Sequence, residues 1–367
     1  MTSRLAILHT EASLGWGGQE IRILTEARGV ARRGHAVAIA APPESRILPA
    51  AGAYGVEAIA LPIGRKSLGG MKALRGLLQA RRFDVVNTHS STDTWLAALA
   101  RVGLRGAPPL VRTRHISAPI PGDPASRWLY RRATNRIVTT GERLRTQVMR
   151  ETGAPADRVQ SIATGIDLGR YRPGEARAAR ARLGLATEPF TVGIVATMRG
   201  WKGHSFLFEA FAALADRDAR LLAVGDGPQR DTLGQLAQSL GIADRVTFPG
   251  NQDDVVPWLQ ASDLFCLPSW ANEGVPQGLM QAMACRVPVI STPVGSIDEI
   301  VRDGETGLLV APRDAMALRQ AIERLRQDAE LRARLAEAGF REAQARFGED
   351  LMVDRMLAVF EAAAARV

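Results

Sequence analysis

The stretch NEGVPQGLMQAMACRVPVI, residues 272–290, combines a tight turn, a short helical pattern and an apolar run of strand length. Pro276 has the φ angle of a first helical turn, and Gly274 permits close backbone approach just before it. The sequence therefore predicts a helix that begins near Pro276 and runs past Ala284. Its first N–H groups lack internal partners and carry partial positive charge, which attracts phosphate.

Two polar side chains accompany this helix start. Glu273 lies just before it, and Gln281 lies inside it. A carboxylate beside a diphosphate accepts hydrogen bonds from hydroxyls, and an amide that both donates and accepts suits a diol such as a ribose edge. A helix cap at Glu273 and a surface glutamine at position 281 are equally compatible with the residues.

Apolar runs alternate with helical patterns on both sides of this stretch. RLAILHT, AVAIAAP, DVVNTHS and PLVRTRH are typical of buried parallel strands, and FTVGIVAT, RLLAVGDG and LFCLPS resume the series after a pause between Gly169 and Glu188. This alternation predicts two doubly wound α/β domains. Ligands of such sheets bind at the carboxyl ends of the strands, so a ligand cleft between the domains is expected. Ala315 to Val367 is predicted to be helical.

The composition sets the broad class. The chain has 367 residues, of which 46% are hydrophobic, enough for two packed cores. Its two cysteines show neither metal-ligand spacing nor a disulfide framework, which favours a reducing, cytoplasmic location. The first residues do not resemble a signal peptide, and no apolar run is long enough to span a membrane.

Positive charge is concentrated in the first half of the chain. Residues 1–184 hold 29 Lys and Arg against 13 Asp and Glu, whereas the remainder holds 18 against 25. The segment ASRWLYRRATNRIVTTGERLRTQVMR places Trp128 and Tyr130 among arginines, a combination that suits an anionic membrane surface. A phosphorylated glycan or nucleic acid would accept the same charge, and a solvated face is its plain alternative. The apolar side chains of the segment are equally compatible with a position in the core.

Other candidate residues follow predicted strands. Arg199 and Lys202 lie between a strand and a helix, where two cations can bind a diphosphate. Gly17 and Gly18 belong to a glycine-rich loop after the first strand, although the spacing is not that of a dinucleotide site. His115 and His89 each end a strand, and His115 is the stronger candidate for a ligand loop.

The run from Val246 to Val310, together with GWGGQEIRILTEARGVARRGH, TGIDLGRYRP and RGWKGHSFLFEAF, resembles the retaining glycosyltransferases of family 4. The resemblance implies the α/β GT-B fold, with two Rossmann-like domains facing a cleft. It also implies an acceptor domain over 1–170, a linker over 171–187 and a donor domain over 188–345. A final helix over 346–367 is expected to cross back to the N-terminal domain.

The resemblance also implies roles for individual residues. Glu273 matches an acid that holds hydroxyls of the donor sugar, and Lys202 with Arg199 matches a basic pair on the donor diphosphate. His115 matches a histidine near the transferred sugar, and Gly17 with Gly18 matches a loop between donor phosphate and acceptor. The remaining donor-binding positions are Gly274, Val275, Pro276 and Gln281. Gln281 stands where the family has a second acid, and the Arg199–Lys202 spacing is shorter than usual.

These residues predict transfer of a sugar, with retention, from a UDP- or GDP-linked donor to a glycan or glycolipid hydroxyl. Bacterial lipopolysaccharide or exopolysaccharide assembly is the expected setting, on fold-level analogy. Neither a metal nor a further cofactor is expected, because Lys202, Arg199 and the helix start supply the positive charge. Nucleic acid is not expected as a partner. The alternatives are a nucleotide-sugar 2-epimerase of similar architecture and a nucleotide-sugar-binding protein without turnover.

Overall fold

A computed structural model describes residues 4–365 of the chain. The chain divides into two compact units. Unit 1 runs from the N-terminus to Gly165 and resumes at Glu349, and unit 2 runs from Ile166 to Gly348. The α/β GT-B class predicted from the sequence is confirmed, since each unit contains a parallel sheet with helices.

Unit 1 contains a seven-stranded parallel sheet in the order β3-β2-β1-β4-β5-β6-β7. The order reverses direction at β1, which lies between β2 and β4. The carboxyl ends of β1, β4 and β5 therefore lie side by side, a place where open α/β sheets bind ligands. The strands are β1 (Ala6–Thr10), β2 (Ala36–Ala41), β3 (Glu57–Ala60), β4 (Val85–Thr88), β5 (Leu110–Arg114), β6 (Arg136–Thr139) and β7 (Val159–Ser161).

The helices of unit 1 follow recognisable start signals. Ser67 accepts a hydrogen bond from the N–H of Gly70, and Ser90 forms a reciprocal capping box with Asp93. The helices are α1 (Gly18–Arg32), α2 (Ile47–Ala53), α3 (Leu68–Ala80), α4 (Ser91–Arg101), α5 (Pro124–Trp128, continued by a π-helical turn over Leu129–Ala133), α6 (Glu142–Thr152) and, after unit 2, α14 (Glu349–Ala364).

The last helix completes the core of unit 1. Met352, Met356 and Phe360 of α14 are buried in one apolar cluster with strand residues of the sheet. Gly29 of α1 makes close packing possible, because a Cβ there would lie 2.4 Å from Cγ2 of Val353. Arg28 reinforces the contact through an ion pair with Glu349 at 2.9 Å.

Unit 2 contains a six-stranded parallel sheet in the order β10-β9-β8-β11-β12-β13. Its strands are β8 (Thr191–Val195), β9 (Arg220–Val224), β10 (Val246–Gly250), β11 (Leu264–Leu267), β12 (Val289–Ser291) and β13 (Leu308–Leu309). Its helices are α7 (Ala176–Arg182), α8 (His204–Ala212), α9 (Arg230–Ser239), α10 (Val256–Gln260), α11 (Gln277–Ala284), α12 (Ala315–Gln327) and α13 (Ala329–Arg346). The direction of the strand order reverses at β8, so the carboxyl ends of β8 and β11 are neighbours.

The segment predicted as a linker, 171–187, lies within unit 2 and contains helix α7. The arginines of this segment made it resemble a solvated linker. Arg180, however, is buried, where it donates to the carbonyl of Ala261 and pairs with Asp263. The helix at residue 276 also differs slightly from the prediction. Pro276 is its extended N-cap rather than its first residue, and the helix ends at Ala284, not beyond it.

The arginine-rich segment of unit 1 is not one continuous surface. Arg127, Arg131 and Arg132 are exposed, and Trp128 is 37% exposed. Tyr130, by contrast, is buried, as are Leu129, Arg112 and Arg114. Within residues 4–365, no helix combines the length and the apolar character that crossing a bilayer requires.

Candidate active site

An ion pair lies at the carboxyl ends of β8 and β11 in unit 2. Lys202 Nζ is 2.6 Å from Oε1 of Glu273, and the two side chains are 19% and 5% exposed. Ser269 also donates to Oε1 of Glu273, at 2.6 Å. Among residues 4–365, no group donates to the other oxygen, Oε2. Glu273 therefore has one oxygen fixed by the protein and one that is available for a further hydrogen bond.

Backbone contacts fix the two loops that carry this pair. The N–H of Trp270 donates to the carbonyl of Trp201 at 2.8 Å, and its indole Nε1 donates to the carbonyl of Gly200 at 2.9 Å. Gly203 has φ +77°, and a Cβ there would lie 2.0 Å from the carbonyl oxygen of Pro268. Only glycine allows both this backbone conformation and this approach. The Lys202–Glu273 pair is therefore held by a rigid backbone frame.

The N-terminus of α11 lies directly after Glu273. Pro276 supplies no side-chain oxygen to cap the helix, so its partial positive charge is not offset by a capping side chain. The backbone of Glu273 itself is closely packed against residue 295. A Cβ on Gly295, which has φ +64°, would lie 2.1 Å from the carbonyl oxygen of Glu273. Gln281, within α11, is 8% exposed and is not a surface glutamine.

Arg199 differs from Lys202 in its surroundings. It is exposed, and its guanidinium lies 5.2 Å from the centre of the Trp201 ring. A neighbouring arginine, Arg313, stacks on Trp270 at 4.0 Å. Each arginine therefore lies over a tryptophan of the backbone frame that carries the pair. The sequence singled out Arg199, whereas the stacking of Arg313 on Trp270 was not anticipated.

Unit 1 has a cavity of about 470 Å³ close to the carboxyl ends of β4 and β5. Its lining includes Lys66, Arg112, Arg114 and His115, with Asp123 as the acid. Arg112 bonds to the carbonyl of Ser90 and the hydroxyl of Thr94. Arg114 donates to the Tyr130 hydroxyl at 3.3 Å and to the carbonyl of Ala118. The cavity is thus lined by positive groups that hydrogen bonds hold in place.

Three histidines form a hydrogen-bonded row behind this cavity. His9 Nδ1 is 3.0 Å from Nε2 of His89, and His89 Nδ1 is 3.0 Å from Nε2 of His115. Burial lowers the pKa of His9 to about 3. Burial also keeps the pKa values of His89 and His115 well below 6.5, and the nearby guanidinium groups of Arg22 and Arg112 lower them further. The row is therefore neutral at physiological pH.

The loop that carries Gly17 and Gly18 leads into α1. Gly17 is the extended N-cap of α1, and Gly18 is its first residue. The next residue, Gln19, lines the cavity and bonds to Glu11. Burial and the neighbouring Asp93 carboxylate raise the pKa of Glu11 to about 8. The predicted phosphate and acceptor loop thus borders the cavity of unit 1 through Gln19.

The sequence prediction treated His115 and His89 separately and did not include His9. A signal was present, since LHT, NTHS and RTRH each carry a histidine at or near a strand end. Only the strand order, with β1 and β4 adjacent and β5 next, converts those positions into one row. Ser269 was missed because nothing in the sequence distinguishes it from other loop serines.

Comparison with known proteins identifies the family. Residues 16–170 match the family described as Glycosyltransferase Family 4, and residues 175–342 match Glycosyl transferases group 1. A D-inositol 3-phosphate glycosyltransferase of Thermomonospora curvata is 30% identical over 399 residues, covering 95% of this chain and 91% of that protein. The chain belongs to the group 1 glycosyltransferases.

Other proteins that this group 1 chain resembles match it over different shares of their length. A D-inositol 3-phosphate glycosyltransferase of Rhodococcus jostii is 37% identical over 253 residues, covering 62% of this chain and 55% of that protein. The chain therefore spans about half the length of that relative. The crystal structure of Anabaena HepE in complex with UDP-glucose has a TM-score of 0.84 and 22% identity, covering 97% of this chain and 100% of HepE. This likeness supports the fold.

Proposed function

We propose that this protein transfers a sugar from a nucleotide diphospho-sugar to a hydroxyl of an acceptor, with retention of configuration. The observation that carries the proposal is the pair formed by the half-buried Lys202 and the buried Glu273 beside the N-terminus of α11. As the bond to the sugar breaks, negative charge grows on the diphosphate. Fixed positive groups that face this charge without reorganising stabilise the transition state. Lys202 and the helix N-terminus are those groups, and Arg199 reinforces them from the exposed side.

Glu273 is assigned to the donor sugar. Its Oε1 is held by Lys202 and Ser269, so Oε2 accepts a hydrogen bond from a sugar hydroxyl. The protein's contribution is thus positioning and electrostatics rather than a covalent intermediate, and the donor phosphate takes the proton of the acceptor. The nucleotide ribose is assigned to Gln281, with Gly274, Val275 and Pro276 beside the donor. HepE, which shares the fold, was crystallised with UDP-glucose, so UDP is the first nucleotide to test.

The acceptor is assigned to the cavity of unit 1. Lys66, Arg112 and Arg114 line it, and a pocket with this charge favours an acceptor that carries a phosphate or another anionic group. The relatives named D-inositol 3-phosphate glycosyltransferase act on a phosphorylated polyol by name. A phosphorylated sugar of a bacterial lipopolysaccharide or exopolysaccharide has the same chemistry, and that setting stays a prediction. The role of His115 toward the transferred sugar also stays a prediction.

The decisive experiment incubates the protein with labelled UDP-glucose and other nucleotide-sugars, with and without phosphorylated acceptors. We expect acceptor-dependent transfer, with inositol 3-phosphate and phosphorylated core sugars as separate arms. Thermal shift with UDP tests the donor site alone, because ligand at a hundred times its Kd stabilises the fold by about 2.7 kcal/mol. Donor binding without transfer to any acceptor would contradict the transferase proposal and favour a binding protein.

The proposed location is the cytoplasm, where the enzyme meets its acceptor at an anionic membrane surface. Arg127, Arg131 and Arg132 are exposed beside Trp128, a group suited to lipid headgroups. Vesicles that contain anionic lipid should sediment the protein at low salt and release it at high salt. Neutral vesicles are the control. Equal recovery from both vesicle types, or none from either, would contradict the membrane proposal.

A further inference from the structure

The row His9–His89–His115 has a direction that follows from the position of its protons. Each neutral imidazole carries one proton, on one of its two nitrogens. Each link of the row joins Nδ1 of one ring to Nε2 of the next, and both links are 3.0 Å long. The protons can therefore take only two ordered arrangements. Either every Nδ1 is protonated, or every Nε2 is.

The buried end of the row distinguishes the two arrangements. His9 Nε2 is buried and has no hydrogen-bond partner within residues 4–365. If every Nε2 were protonated, His9 would carry an N–H donor with no acceptor, an arrangement that is rare in folded proteins. With every Nδ1 protonated, only a lone pair lacks a partner. The arrangement with every Nδ1 protonated is therefore the less costly one at this end.

A carboxylate beside His9 favours the same direction. Oε1 of Glu26 is 4.0 Å from Nδ1 of His9, and both side chains are fully buried. A proton on Nδ1 is attracted to this oxygen, whereas a bare Nδ1 lone pair would be repelled by it. Burial raises the pKa of Glu26 to about 7. Asn87 donates to Oε1 at 3.2 Å, so Oε1 stays an acceptor and any proton of Glu26 lies on Oε2. Two independent observations thus favour protonated Nδ1 atoms along the row.

We propose that His9 and His89 are positioning residues that hold His115 as the Nδ1–H tautomer, so that His115 offers a hydrogen-bond donor to a ligand oxygen in the unit 1 cavity. His115 Nε2 is occupied as the acceptor of the proton from His89. Its Nδ1 has no bond to any other described group, and the side chain lines the cavity. The ligand atom that faces Nδ1 is then an acceptor, such as a phosphate, carboxylate or hydroxyl oxygen.

This assignment restricts what His115 can do. A ring whose Nε2 is occupied and whose Nδ1 carries the proton cannot take a proton from an acceptor hydroxyl. His115 therefore acts by donating a hydrogen bond, and together with Arg112 and Arg114 it makes the cavity rich in donors. The inference depends on unit 1 alone, so its test is separate from that of the transferase activity.

The test is nitrogen-15 NMR of the full chain labelled in its histidines, which number five. We expect a protonated Nδ1 and a bare Nε2 for both His115 and His9. His35 provides an internal reference for the opposite tautomer, because its Nδ1 accepts the N–H of Leu5 at 3.2 Å. If His115 gives the same pattern as His35, the proposal is wrong, whatever the variants show.

Two variants of His89 test its positioning role. In His89→Asn the amide nitrogen stands where Nδ1 stood, so the donor to His115 is kept. In His89→Leu that donor is lost. We expect His115 to stay protonated on Nδ1 in His89→Asn and to lose this preference in His89→Leu, while the signals of His204 in unit 2 stay unchanged in both. An unchanged His115 tautomer in His89→Leu would overturn the role of His89.

Discussion

The two units place polar side chains at equivalent ends of parallel strands but in opposite electrostatic states. In unit 2, Lys202 and Glu273 are a charged pair with little exposure to solvent. In unit 1, His9, His89 and His115 form a row that burial keeps neutral. The charged pair is stable because the charge of each partner offsets the cost of burying the charge of the other. The neutral row avoids the cost of buried charge and depends instead on packing and on the order of its hydrogen bonds.

The largest effect is expected from a substitution that breaks the charged pair. Lys202→Met leaves the buried Glu273 carboxylate without a cationic partner, which should cost about 3–5 kcal/mol of stability. Turnover should fall about a hundredfold or more because a positive group facing the diphosphate is lost. Urea unfolding and steady-state kinetics measure the two effects.

The double variant Lys202→Met with Glu273→Gln separates these effects. It removes both charges, so most of the lost stability should return while turnover stays low. A single variant with wild-type turnover would remove the proposed mechanism. A double variant no more stable than the single one would show that the pair is not held by mutual compensation.

The next effect tests the packing that supports unit 1. Gly29→Ala places a Cβ 2.4 Å from Val353 and should destabilise unit 1 by about 1–3 kcal/mol. Phe360 lies on α14, as Val353 does, and contacts His9 edge-on with ring centres 6.0 Å apart. The histidine row therefore depends on the packing of α14.

Gly76→Ala, in α3, is the matched control for Gly29→Ala. Its Cβ would meet no atom within 4 Å, and a helical Gly→Ala change should stabilise by about 0.5–1 kcal/mol. Thermal unfolding of both variants provides the comparison. The same shift in both would mean that the approach of α14 to α1 is not tight.

A smaller effect concerns pH. The pKa of Glu11 is about 8 in the folded chain, against an ordinary value of 4.5. A raised acid pKa stabilises the fold at low pH, and this contribution is lost as pH rises from 4.5 to about 8. Between pH 6.5 and 7.5, the wild type should lose about 1.2 kcal/mol relative to Glu11→Gln. Urea unfolding at the two pH values measures this difference, and parallel losses in both proteins would contradict it.

The smallest effect is expected from a substitution that adds a charge to unit 2. If Gln281 binds the ribose as proposed, Gln281→Glu replaces a neutral hydrogen bond with a charge-assisted one, worth about 1 kcal/mol, or roughly fivefold in affinity for UDP. Isothermal titration with UDP is the measurement. Weaker binding would indicate that the pocket around position 281 excludes negative charge, and that Gln281 is adapted to a different ligand group.

The sequence-based prediction missed two elements on either side of the junction of the units at residue 165 but anticipated the site in unit 2. The proximity of Lys202 and Glu273 follows from two strand-end loops, because β8 and β11 are adjacent. Helix α7 was missed because buried arginines such as Arg180 resemble a solvated linker, and β7 because its three residues include the polar Gln160 and Ser161. The histidine row needed the strand order, which periodicity alone does not give.

The return of α14 to unit 1 has a consequence during protein synthesis. Domains generally fold in the order in which the ribosome releases them, starting from the N-terminus. Here all the strands of unit 1 are made first, yet their apolar face stays uncovered until Met356 and Phe360 have been translated. Unit 2 contains all of its own elements by Gly348. We therefore expect the unit encoded second to reach its native state first on the ribosome.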